Sequence, residues 1–250
     1  MLKFDNVYFK YDEDNEPMID GLSFEVDDGD FISVIGASGC GKSTVFRLIN
    51  GLEKAQRGSI SVDGKNIADI KNYSAYMPQK DLLFPWRTIE KNICMPMEIQ
   101  KINKTEMHEK ACEVLKEVGL YEYRDKYPKD LSGGMKQRAS FARTLLSGAD
   151  LMLLDEPFSA LDSITRMGLQ EWLLDEWQKH KKTVLFVTHD VEEAIFLSKK
   201  IFIITDRPVS HFEECKVPLS YPRNRDDMKR SDIGDMKAML IKKLRQEAAV

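Results

Sequence analysis

A chain of 250 residues with 42% hydrophobic and 31% charged side chains has the apolar mass for one sizeable core, which excludes a disordered protein. A net charge of -4 denies it the basic field of a dedicated nucleic-acid binder, and no apolar run approaches the ~20 residues of a membrane-crossing helix. The N-terminus has no apolar signal stretch, and Cys40, Cys94, Cys112 and Cys215 form no Cys-x-x-Cys pair, so a reducing cytoplasm without disulfides or a zinc site is expected.

Leu22, Phe24 and Val26 alternate with polar residues, the period of a half-buried strand. Phe31–Ile35 reads as a more deeply buried strand ending at Gly36. A helix is predicted from near Lys42, turning Val45, Phe46, Leu48 and Ile49 inward. Ser59–Val62 before Asp63-Gly64 is a hairpin signal. From Ile89 to Leu146 strand signals vanish, and Thr105–Val118 has helical spacing with Gly119 as C-cap, which predicts a helical insertion. Strand signals return at Leu151–Leu154, Thr183–Val187 and Ile201–Ile204, separated by helical patterns near 164–179 and 190–197. That alternation argues for a mostly parallel sheet covered on both faces. Ser231–Ala249 reads as a final helix.

Three stretches carry chemistry. Gly36-Ala37-Ser38-Gly39-Cys40-Gly41-Lys42-Ser43-Thr44 has the spacing G-x-x-x-x-G-K-[ST], after a predicted strand and opening a predicted helix. The glycines let the backbone wrap phosphates with N–H groups inward, and the helix end adds partial positive charge. Lys42 can reach β- and γ-phosphates, and the Ser43 hydroxyl is placed for Mg²⁺. Cys40, inside the loop, is either a small spacer or a thiol made reactive by Lys42 and the helix end. The second stretch, Leu151–Leu154 followed by Asp155 and Glu156, is a buried strand with two carboxylates at its C-terminal end. Alone it reads equally well as a strand running into a solvated acidic turn. Beside a phosphate loop, Asp155 becomes a holder of the magnesium shell and Glu156 the group that polarises an attacking water. The third, Leu131-Ser132-Gly133-Gly134-Met135-Lys136-Gln137-Arg138, starts a helix with Ser132 as N-cap. Capping explains neither the second glycine nor the Met-Lys-Gln-Arg run. A serine hydroxyl among the free N–H groups of a helix end is also a phosphate site.

With this third stretch the chain resembles the ATP-binding cassette (ABC) family over essentially its whole length, Leu131–Gly134 matching that family's signature motif. The resemblance extends to Gln79 as the Q-loop glutamine, Ser159–Asp162 as the D-loop and His189 as the switch histidine. Tyr11 resembles the aromatic that stacks on adenine, with Tyr8 and Phe9 as rivals. It implies catalytic roles for Lys42, Gln79, Glu156 and His189, and Mg²⁺ ligands in Ser43, Gln79 and Asp155. ATP contacts are implied for Tyr11, Gly36, Ser38, Gly39, Cys40, Gly41, Lys42, Ser43 and Thr44, and across a dimer for Ser132, Gly133 and Gly134. The implied fold is an α/β P-loop NTPase with a mostly parallel sheet, an N-terminal antiparallel β subdomain and an inserted helical subdomain. The expected divisions are 1–87 (core, β subdomain and Q-loop), 88–147 (helical signature subdomain), 148–230 (second part of the core) and 231–250 (C-terminal helix).

A single cassette without membrane helices or coiled coil resembles the ATPase subunit of a bacterial transporter. Leu83-Phe84-Pro85-Trp86-Arg87-Thr88 and Pro218-Leu219-Ser220-Tyr221-Pro222-Arg223 are similar to importers of the nitrate/sulfonate/taurine or thiamine-precursor type. The implied partners are a second copy packed head to tail around ATP, and a permease contacted near Leu82–Trp86 at the inner face of the membrane. A solute-binding protein belongs to the same complex without direct contact, and no nucleic acid is expected. The alternatives are an exporter module or a regulatory ABC ATPase of low turnover, and, outside the family, a P-loop kinase.

Overall fold

The computed structural model describes residues 1–247; Ala248, Ala249 and Val250, the end of the expected C-terminal helix, lie outside the described residues. Strands β1 (Leu2–Phe9) and β2 (Ile19–Val26) pair antiparallel, and β1 turns Leu2, Phe4, Val7 and Phe9 inward. The inward set slips by one residue at Asp5-Asn6, a bulge with Asn6 at φ 49°. This slip hides β1 from a period-two reading of the sequence. β3 (Phe31–Gly36) is buried on both faces, as its unbroken apolar run requires. It leads into α1 (Lys42–Ile49). β4 (Arg57–Val62) and β5 (Lys65–Asn66) form the hairpin expected around Asp63-Gly64 and complete a four-stranded sheet in the order β2-β1-β4-β5.

β6 (Ser74–Met77) precedes the helical insertion, which consists of α2 (Ile89–Ile93), α3 (Met95–Ile99), α4 (Lys104–Glu117) and α5 (Gly133–Leu145). Thr88, Asn103 and Ser132 cap α2, α4 and α5 by accepting backbone N–H groups. The core resumes with β7 (Leu151–Asp155), α6 (Ser163–His180), β8 (Thr183–Val187), α7 (Val191–Leu197), β9 (Lys200–Ile204), β10 (Glu213–Lys216) and α8 (Ser231–Glu247). No helix among the described residues is long and apolar enough to cross a membrane.

The second sheet runs β10-β9-β3-β8-β7-β6, parallel except for β10 at its edge. This order sets β3, β8, β7 and β6 side by side, although they are far apart in sequence. Their C-terminal ends are Gly36, Val187, Asp155 and Met77. The phosphate loop, His189, Glu156 and Gln79 therefore leave the sheet at one edge, where parallel sheets hold ligands.

Candidate active site

The loop between β3 and α1 turns through Gly39 (φ 80°) and Gly41 (φ 110°). At Gly41 a Cβ would also stand 3.2 Å from Met18 Sδ and 3.2 Å from Val209 Cγ2, so conformation and space both demand glycine. Lys42 is buried and folds back on its own loop, its Nζ donating to Gly36 O (2.8 Å) and Ala37 O (2.7 Å). Cys40 Sγ lies 3.8 Å from the same nitrogen.

Asp155 is buried beneath the loop, within reach of the Ser43 hydroxyl, and Tyr76 donates to its Oδ2 at 3.4 Å. Burial pushes the Asp155 carboxyl above its ordinary range and the neighbouring Glu156 adds to this. Ser43, Tyr76 and Lys42 oppose the shift. After Asp155 the chain bends sharply, with Glu156 at φ 50° and its N–H bonded to Val187 O at 2.9 Å. The bend delivers Glu156 Oε2 to Gln79 Nε2, which donates to it at 3.0 Å, and to His189 Nδ1 at 3.5 Å. These three residues share a cleft of about 530 Å³ with Met18, Gly36, Ser38, Gly39, Gly41, Lys42, Ser43 and Thr44.

The three aromatics near the N-terminus separate by surroundings. Phe9 is 4% exposed and belongs to the core. Tyr8 is covered by the Arg57 guanidinium, 4.2 Å from its ring centre. Tyr11 stands beside the phosphate loop, its hydroxyl 3.1 Å from Thr44 Oγ1 and its ring edge-on to Phe9.

Ser132, Gly133 and Gly134 do not line this cleft. Ser132 Oγ accepts the Met135 N–H at 3.3 Å. A Cβ on Gly134 would stand 2.9 Å from Ala160 O, whereas one on Gly133 would meet nothing within 4 Å. The second glycine thus has a reason inside the chain: it lets α5 approach the backbone before α6. Gln137, unassigned on sequence, fastens the same junction. Its Nε2 donates to Glu156 O (2.9 Å) and Ser159 Oγ (3.0 Å), and its Oε1 accepts from Ala160 N (2.8 Å). The signal available in the sequence was a glutamine one turn before Phe141 on the buried stripe of α5.

Leu82–Trp86 divides. Leu82 and Trp86 are 61% and 71% exposed, whereas Leu83 is buried in the helical core and is withdrawn from any contact surface. Arg143 holds the loop by donating to Leu82 O (2.9 Å) and Asp81 O (2.8 Å). Leu82 and Phe84 line a groove of about 500 Å³ with Leu52, Met95, Pro96 and Arg143.

Residues 19–159 match the family model described as ABC transporter. The chain is 41% identical over 247 residues to the formylaminopyrimidine import ATP-binding protein ThiZ of Halalkalibacterium halodurans, covering 96% of each chain. It is 40% identical over 218 residues to the aliphatic sulfonates import ATP-binding protein SsuB of Bacillus thuringiensis subsp. konkukian, covering 87% of this chain and 86% of the other. Among solved structures it is similar to the dimeric, post-hydrolysis ATP-binding cassette MJ0796 bound to ADP and Pi. The TM-score is 0.79 and the identity 26%, over 88% of this chain and 100% of the other.

Proposed function

The chain belongs to the ABC transporter family, and from that premise we propose that it is the ATP-hydrolysing subunit of an importer that takes up solute through a separate permease. The observation that carries the reading is the single cleft into which the phosphate loop, Gln79, Glu156 and His189 converge from four neighbouring strands. The names of its relatives favour import, with a formylaminopyrimidine or an aliphatic sulfonate as the solute class.

In this reading Lys42 exchanges the carbonyls of Gly36 and Ala37 for the β- and γ-phosphates of ATP. The loop N–H groups and the start of α1 take the remaining phosphate charge. Tyr11, at the loop's flank, stacks on adenine; Phe9 is buried and Tyr8 is already covered by Arg57. Ser43, Gln79 and Asp155 form an all-oxygen donor set suited to Mg²⁺, which would offset phosphate charge. Their fit rests on Asp155 standing within reach of Ser43. Glu156, held by Gln79, orients and polarises the attacking water, and His189 donates to the γ-phosphate. Ser132 and Gly133, absent from the chain's own cleft, face the nucleotide of a second copy in a head-to-tail dimer, as does the N-terminus of α5 behind Gly134. The groove at Leu82 and Phe84, with Trp86 beside it, receives the permease, which places the chain on the inner face of the membrane.

Purified chain with Mg-ATP should release ADP and inorganic phosphate in equal amounts, and Lys42→Ala should abolish this. Phosphate delivered to an acceptor other than water, or undiminished hydrolysis by Lys42→Ala, would sink the reading.

A further inference from the structure

His189 is 68% exposed, so its place over the cleft is set by the backbone that carries it. The turn around it is closed on both sides by one hydroxyl. Thr188 Oγ1 accepts the Asp190 N–H at 2.9 Å and donates to Glu193 Oε2 at 2.6 Å. Glu193 is 7% exposed, and its other oxygen accepts from Gln170 Nε2 at 2.8 Å. Gln170 Oε1 in turn accepts from Arg225 Nη2 at 2.7 Å. Arg166 lies farther off, its Nε 3.8 Å from Glu193.

The far end of α7 is held by the same C-terminal segment. Arg223, 8% exposed, donates Nη1 to the carbonyls of Ile195 (2.9 Å), Phe196 (3.0 Å) and Ser198 (2.9 Å). Tyr221 donates to Leu197 O at 2.8 Å. These bonds satisfy the carbonyls that a helix end leaves unpaired. The Pro218–Arg223 stretch, unused by the catalytic reading, is therefore a strap that fixes the helix behind His189. Burial pushes the Glu193 carboxyl above its ordinary range, although Thr188 opposes this. An apolar side chain would fill the place without that desolvation cost, so packing alone does not account for a carboxylate there.

We propose that Glu193 is a positioning residue of the reaction, fixing His189 over the cleft through Thr188, with Gln170 and the Tyr221–Arg225 strap holding Glu193 in register. The inference rests on the reading of His189 as the donor to the γ-phosphate. Each contact of the relay has a set direction, Thr188 and Gln170 both donating to Glu193. In Glu193→Gln, the new amide either meets Gln170 donor to donor or faces Thr188, whose hydroxyl must then turn its proton away and loses the acceptor that held it. If Gln170 turns over instead, its own amide meets Arg225. Gln170→Glu sets two buried carboxylates against each other. Glu193→Gln with Gln170→Glu restores every bond, because residue 170 then accepts from both neighbours.

The test is steady-state ATP hydrolysis by the full chain, with melting temperatures measured alongside. Glu193→Gln and Gln170→Glu should each lower kcat about tenfold while KM for ATP moves less than about twofold. The double variant should return to within about twofold of wild type. Thr188→Val, which removes only the hydroxyl, should reproduce the Glu193→Gln effect should that variant fold poorly. In a His189→Ala background, Glu193→Gln should cost nothing further, since the positioned group is gone. The inference is overturned by wild-type kcat in folded Glu193→Gln or Thr188→Val, by a double variant no better than the singles, or by an equal loss in the His189→Ala background. Undiminished hydrolysis by His189→Ala alone overturns the role of His189 and this inference with it. A slow His189→Ala beside an unaffected Glu193→Gln overturns the inference only.

Discussion

Gly133 and Gly134 are neighbours in one motif, yet their surroundings call for opposite responses to a single methyl group. A Cβ at Gly134 would stand 2.9 Å from Ala160 O and 3.3 Å from Leu161 Cδ2, both next to the start of α6. The carbonyl is backbone and Gln137 pins Ala160 through its N–H, so relief requires α5 to back away. Overpacking of this kind costs about 1–3 kcal/mol. Replacing a helical glycine by alanine returns about 0.5–1 kcal/mol. The net loss for Gly134→Ala is then up to about 2.5 kcal/mol, a fall in Tm of up to roughly 10 °C for a chain of this size. At Gly133 nothing lies within 4 Å, so Gly133→Ala keeps or slightly raises the melting temperature. Scanning calorimetry without nucleotide measures both. Gel filtration with Mg-ATP then asks a separate question: if Gly133 faces a partner's nucleotide, its alanine variant should lose ATP-dependent dimerisation at unchanged Tm. A Gly134→Ala protein that melts with, or above, Gly133→Ala would refute the close-approach reasoning.

Glu156→Gln keeps shape and removes charge, so it should bind ATP, accumulate as a dimer on gel filtration and hydrolyse slower by orders of magnitude; a near wild-type rate counts against the role given to Glu156. Tyr11→Ala should raise the Kd for ATP while Tyr8→Ala leaves it unchanged, and the reverse order in a nucleotide titration would reassign the stacking aromatic. Burial, with Glu90 and Glu98 nearby, pushes the Cys94 thiol up to about 12. The unfolded chain then gives up that proton first, so stability present below about pH 9 is lost as pH rises toward the folded value. Cys94→Val should flatten that alkaline decline, and identical urea midpoints for variant and wild type from pH 8 to about 10.5 would contradict it.

Legibility followed the range of the forces involved. β3, β7 and β8 are short apolar runs buried on both faces, and α1 and α4 carry periodic apolar faces, α4 with a local cap at Asn103. All of these are visible within a window of a dozen residues. β1 escaped because the bulge at Asp5-Asn6 breaks its alternation. The adenine aromatic stayed open among Tyr8, Phe9 and Tyr11, because the choice depends on pairing with a distant strand: Tyr8 falls opposite Arg57 in the ladder with β4. Gln137 and Glu193 look in sequence like ordinary polar residues of amphipathic helices. Only the folded chain shows each to be nearly inaccessible and bonded to a loop that leaves the sheet beside the cleft. The gathering of Gln79, Glu156 and His189 depends on the strand order β3-β8-β7-β6, which pairwise hydrophobic patterns do not encode.

The helix that opens at Ser132 is tied to the chain's own cleft through the side chain of Gln137. Gln137 belongs to the helix that opens at Ser132, and it donates to the carbonyl of Glu156, the residue poised over the chain's own cleft. The same amide holds Ala160 against Gly134. A displacement of Glu156 when the γ-phosphate leaves is therefore not confined to its own cleft, because the Glu156 carbonyl cannot move without either pulling Gln137 or breaking a buried hydrogen bond. Leaving that amide unsatisfied costs about 1–3 kcal/mol, comparable to the coupling energies by which sites communicate. If Ser132 faces the partner's nucleotide in a two-fold dimer, as proposed above, Gln137 sits one turn behind it, and hydrolysis in one cleft would bear on the grip at the other. Gln137→Leu, which keeps the volume and removes the bonds, should leave ATP binding intact and make the two clefts of a dimer hydrolyse independently. Measured as phosphate released per trapped dimer in a single turnover, unchanged interdependence of the two sites would remove Gln137 from this role.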